Sequence, residues 1–88
     1  MNKVKIEKNN KVLADYFAKN KNVTRVRALD MMDEFVKAGI FKSDSERAGL
    51  PIRSLLRELD RNNLLDLIPY IVVERKEKNR NWYFEPIE

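Results

Sequence analysis

The sequence predicts an α+β domain, with three to four helices followed by a C-terminal β-hairpin. Three observations predict it. Apolar residues recur at helical spacing from Val12 to Leu59. Near the C-terminus "YIVVERK" and "NWYFEPI", rich in β-branched and aromatic residues, flank the polar stretch "EKNR". Gly39, Gly49 and Pro51 punctuate the helical part where one helix must stop and another start.

The first helix is expected over residues 10–19, where Val12, Leu13, Tyr16 and Phe17 form one stripe and Asn9 or Asn10 can serve as N-cap. Residues 1–8 are either a flexible basic arm or, through "VKI" at 4–6, a short added strand. "NKN" at 20–22 breaks the first helix. Asn22 or Thr24 then caps a second over Val23–Ala38, with Ala28, Leu29, Met32, Phe35 and Val36 as its buried face and Gly39 as its stop. "SDSE" at 43–46 fits a capping box, with Ser43 bonding forward and Glu46 reaching back, so a short helix is expected from Asp44 to Ala48. After a turn at Gly49–Leu50, Pro51 opens a helix running to Asn62, with Ile52, Leu55, Leu56 and Leu59 on one face. The hairpin spans residues 70–86. Strand alternation gives Ile71 and Val73 one face, and Trp82 and Phe84 the facing side of the partner strand.

Eighty-eight residues suit a single domain with one modest core. The absence of cysteine and histidine excludes disulfides, structural zinc sites, thiol nucleophiles and His-based proton relays. No run resembles a signal peptide or approaches the ~20 apolar residues of a membrane span, so a cytoplasmic location is expected. Asp30, Asp33 and Glu34 sit among other charges and read as surface. No catalytic, metal or cofactor signature is present, and an enzyme is not expected. The net charge of +4 is uneven, because residues 1–30 carry eight cations against three acids. A basic front end points weakly to nucleic acid or another polyanion.

Arg53, Arg57 and Arg61 recur every fourth residue and fall opposite the apolar face of their helix. Like charges at this spacing repel by about 0.2–0.5 kcal/mol per pair. Either the row faces something anionic, or it is solvated surface in which Arg57 pairs with Asp60. At the hairpin tip, Arg75, Lys76, Lys78 and Arg80 outnumber Glu74 and Glu77. These cations either hold phosphate or protect a strand edge. Trp82 and Phe84 are expected in the core, with Tyr83 facing outward.

"SDSERAGLPIRSLLRELDRNNL" followed by "IPYIVVERKEKNRNWYFEP" resembles a winged helix-turn-helix domain across about residues 10–86. The resemblance implies a recognition helix at 51–62 and a wing at 70–86. It implies double-stranded DNA as partner, touched by Arg53, Ser54, Arg57 and Arg61 from the helix and by Lys76, Lys78, Asn79 and Arg80 from the wing tip. The function implied is that of a small transcriptional regulator or a mobile-element accessory factor, and a homodimer would fit. Asp44 stands where the family's first motif helix carries an apolar residue. Residues 24–38 can therefore be the scaffold helix, with 43–48 only a turn. The rival expectation is a protein-interaction module of the same fold, binding through an apolar patch at Ile40 and Phe41 or at Leu64, Leu65 and Leu67.

Overall fold

The computed structural model describes residues 3–87. Helix α1 runs over Lys3–Lys19, strand β1 over Val26–Arg27, and a 3-10 turn at Ala28–Met31 leads into helix α2, Met32–Lys37. Helix α3 spans Leu50–Arg61, a second 3-10 turn covers Leu65–Leu67, and strands β2 (Ile71–Arg75) and β3 (Arg80–Phe84) close the chain. The three strands form one antiparallel sheet in the order β1-β3-β2. The α+β class with a C-terminal hairpin is as expected.

Three local expectations need correction. Residues 3–8 are neither arm nor strand but the first two turns of α1, while Met1 and Asn2 lie outside the described residues. Ile6, Asn9, Leu13 and Phe17 lie on one buried face, so Ile6 gains cover by prolonging the helix. Asn9, expected as a cap, is buried mid-helix, and among the described residues neither Nδ2 nor Oδ1 has a partner. Such a group costs about 1–3 kcal/mol, which the apolar residues on either side offset.

The second correction lies at 23–31. Val26 and Arg27 are extended and pair with Phe84 and Tyr83, covering the free edge of β3. Only the second half of the expected helix forms. β-branched Val23, Thr24 and Val26 have a weak helical preference, and the ladder bonds of an otherwise open edge decide the local conformation. Third, residues 43–49 are not helical. The Asp44 carboxylate accepts bonds from the backbone N–H of Ser45 and of Gly49, and Ser45 Oγ accepts from the Arg47 N–H. These local bonds displace the expected capping box. The segment is a turn, and α2 is the helix that precedes α3.

Two helix ends share one device. Gly39, at φ 79°, donates to the Val36 carbonyl while Ile40 donates to that of Phe35; Asn63, at φ 58°, donates to Asp60 while Leu64 donates to Leu59. Both are Schellman closures, and each sends the chain back over the core. The hairpin register pairs Ile71 with Phe84 and Val73 with Trp82, as strand alternation predicts. Phe84 meets Phe35 edge-on at 6.0 Å, so the sheet packs on α2. Ile52, Leu56 and Leu59 bury the inner face of α3 in the same core.

Gly49 holds α3 close to the 3-10 turn. Its φ is 78°, and an added Cβ would overlap Leu29 Cβ. We expect Gly49→Ala to cost about 2–4 kcal/mol, from the left-handed backbone together with overpacking. Gly39→Ala has a similar φ but nothing within 4 Å, and should cost about 1 kcal/mol. Thermal unfolding of the two variants checks the ranking. Equal midpoints would mean that Leu29 yields freely.

Candidate functional site

The inward face of α3 fixes what its other face presents. With Ile52, Leu56 and Leu59 buried, Arg53 and Arg57 project toward the hairpin, which folds back beside the helix. A cleft of about 240 Å³ lies between them. Arg53 and Arg57 form one wall, Lys78, Asn79 and Arg80 the other, and Arg47 closes the end nearest Gly49. Trp82, only 6% exposed, forms the floor. Five cations line this space and, among the described residues, no carboxylate does.

One acid sets the distance between the walls. Asp60, on the last turn of α3, accepts a forked pair from Arg75 at 2.7 and 3.0 Å and a further bond from Arg80 Nη1 at 2.6 Å. Arg75 and Arg80 are themselves paired across β2 and β3, so both strands are tied to the helix at the base of the hairpin tip. The Asp60 side chain is 13% exposed, against 57% for Arg75. Hydrogen bonds from Arg75 lower the Asp60 carboxyl to about 2 from an ordinary 3.8. The Arg80 bond and both positive charges act the same way, and burial opposes them. Arg80 also lies over Trp82, 5.5 Å from the ring centroid.

Arg53 is held as well. Its Nη2 donates to the Ala48 carbonyl at 3.0 Å, and its buried Nε has no partner among the described residues. The local bonding of Asp44 and Ser45 shapes the loop that presents that carbonyl. Arg57, expected to pair with Asp60 if the row were plain surface, forms no ion pair among the described residues. Asp60 is committed to the hairpin instead.

The structure brings together Arg53, Arg57, Lys78, Asn79 and Arg80 of the expected residues. Ser54 and Arg61 are exposed on α3 but do not line the cleft. Lys76 lies outside it too, at the tip, with Nζ 3.8 Å from Glu74. Arg47 and the floor role of Trp82 were not foreseen. Arg47 is a lone cation in a loop, and only its position two residues before the helix-entry glycine hints at a role. Tyr83 faces away from Trp82 and carries the Arg25 guanidinium 4.7 Å from its ring centroid, with Arg25 also bonded to Glu85.

Of the rival apolar candidates, Ile40 is buried and Phe41 half-buried beneath Lys5. Leu65 is half-buried, which leaves Leu64 at 37% and Leu67 at 43% exposure. Among the described residues no acid cluster suited to a metal ion occurs, and no helix is long and apolar enough to cross a membrane. No protein-family model, curated protein or solved structure matches the chain.

The Asp60 tie has a pH signature. Because its folded-state value is depressed, the stability it contributes is fully present above its ordinary 3.8 and is lost as pH falls toward about 2. We expect Asp60→Asn to cost about 1 kcal/mol near neutral pH. That corresponds to about 4–8 °C in thermal midpoint for a domain of this size. The difference from the native chain should be level between pH 5 and 8 and shrink below pH 4. A difference that persisted undiminished at pH 2 would mean that packing, not charge, carries the role of Asp60.

Proposed function

We propose that this chain is a winged helix-turn-helix domain that binds double-stranded DNA, with α3 as recognition helix and the β2–β3 hairpin as wing. The observation that carries the reading is the cleft itself: four cations on two elements that face each other and a fifth, Arg47, on the adjoining loop, with no lining acid among the described residues. A basic-faced helix with a hairpin folded beside it is the arrangement the sequence resemblance implies. α3, with 12 residues, would be about 18 Å long and of a width the major groove admits.

In this reading a phosphodiester strand passes between α3 and the wing. Arg57, Lys78 and Arg80 neutralise phosphates there, and guanidinium forks suit phosphate oxygens. Arg53 and Ser54, near the N-terminal end of α3, face base edges, where arginine pairs with guanine O6 and N7. Arg61 and Lys76, outside the cleft, add weaker backbone contacts. Such a domain serves a small transcriptional regulator or an accessory factor of a mobile element. The exposed Leu64 and Leu67 favour a second reading, a protein-interaction module of the same fold.

Fluorescence anisotropy with a labelled random-sequence duplex at several salt concentrations tests the proposal. The native chain should bind with a steep salt dependence. An Arg53→Ala, Arg57→Ala double variant, shown to be folded by circular dichroism, should bind more weakly and lose about one unit of slope in log affinity against log salt, because Arg57 is the one of the pair on a phosphate. Arg61→Ala should lose less than one. Absence of binding by the native chain at low salt would overturn the DNA reading and leave the interaction module.

A further inference from the structure

Past Trp82 the cleft does not end. A second arm of about 280 Å³ shares Arg53, Arg80 and Trp82 with the first and runs on to the corner where β1 enters the 3-10 turn, bounded by Arg27, Leu29 and Tyr83. Among the described residues no carboxylate lines this arm either. Its cations come from three separate elements: Arg27 from β1, Arg53 from α3 and Arg80 from β3. Nothing in the expected helix-and-hairpin interface accounts for Arg27.

Arg27 differs from the other two in how it is held. It directs Nε and Nη2 in a fork at Asp30, at 2.9 and 3.2 Å, and its side chain is 62% exposed. The same two donors form the fork that clasps a phosphate. An exposed pair three residues apart is held loosely, and exchanging one oxyanion for another leaves the donors satisfied. Arg53 and Arg80, by contrast, are fixed by Ala48 and Asp60.

We propose that Arg27 is a further DNA-backbone ligand, clasping a phosphate in this second arm by exchanging Asp30 for it. The inference rests on the DNA-binding reading above and extends its footprint from α3 and the wing to β1. Asp30 acts as a stand-in anion that orders the guanidinium before DNA arrives and competes with phosphate for it. Removing the arginine and removing the acid therefore have opposite effects on binding.

Duplex binding by anisotropy across a salt series, with the full chain, tests this. Arg27→Ala should lower the salt slope by about one unit. Asp30→Asn should raise affinity by roughly two- to fivefold, the scale of one exposed pair. The double variant should gain over Arg27→Ala no more than the net-charge control does, because the specific effect of Asp30 runs through Arg27. Asp15→Asn, which removes an acid from α1, controls for net charge and should give a smaller gain that survives in the Arg27→Ala background. Circular dichroism melts of each variant separate a folding defect from a binding one. If native binding depends on Arg53 and Arg57 while Arg27→Ala changes nothing, this inference fails and the DNA reading stands. It also fails if both single substitutions weaken binding, since Arg27 and Asp30 would then be only a structural tie. If the native chain does not bind duplex at all, both fall together.

Discussion

The carboxylate of Asp60 is the constraint on which the site depends. A two-stranded hairpin with a basic tip, placed beside a helix that presents two arginines, would be pushed outward by like charge. Unit charges in water repel by about 1 kcal/mol at 4 Å, and by several times that near a low-dielectric protein surface. Asp60 puts one negative charge where both strands of the hairpin reach the helix, and engages Arg75 and Arg80 at once. Its position on the last turn of α3 matters too: the Schellman closure through Asn63 begins at its own backbone carbonyl. A residue whose carbonyl takes part in closing the helix thus also fixes the hairpin against it. Arg80 is part ligand of Asp60 and part cleft wall, and its place over Trp82 carries the constraint into the floor of the site.

The cations that remain unopposed have a cost, and it is tolerated because the elements bearing them are secured elsewhere. Ile52, Leu56 and Leu59 have essentially no exposed surface. Fully burying such side chains stabilises by about 1.5–3 kcal/mol each. Mild repulsion between Arg53 and Arg57, a few tenths of a kcal/mol, cannot compete with that. The hairpin is held similarly by Trp82 and Phe84, the latter edge-on to Phe35. The burial that makes the core also fixes α3 and the base of the hairpin, so an anion entering between them meets Arg53 and Arg80 already in place.

Elements whose own pattern agreed with their packing were legible in the sequence. α3 announced itself by the proline start, the apolar face and the asparagine stop, and the hairpin by its two β-branched and aromatic runs. What escaped was set by distant partners. β1 is two residues long, and only the open edge of β3 makes Val26 and Arg27 extended. The first turns of α1 were hidden by Asn9, whose place on an apolar face contradicts its chemistry. The capping signature at 43–46 was a true sign of side chain–backbone bonding but pointed to the wrong form of it, since Asp44 reaches Gly49 and closes a turn. The arginine row was legible as a row. That Asp60 belonged to the hairpin, not to Arg57, depended on a contact 15 residues further along the chain.

The two walls of the cleft differ in how firmly their charges are placed, and that difference shapes what each can contribute. Arg53 stands on a helix buried along its inner face, with one guanidinium nitrogen fixed to the Ala48 carbonyl and Gly49 packed against Leu29 beneath it. In the proposed DNA complex, a side chain so confined would discriminate between base edges, because a wrong edge leaves its donors unsatisfied. Lys78 and Asn79 stand on a four-residue tip closed by the bond from the Lys76 N–H to the Asn79 carbonyl. Both are exposed, so in the proposed complex the tip would follow the backbone of any sequence and its charge would contribute affinity without preference. Asp60 sits at the junction of the two regimes. It ties the base of the tip to α3 while Lys78 and Asn79 stay exposed, so in the proposed complex the fixed wall would set the register and the adaptable wall would follow.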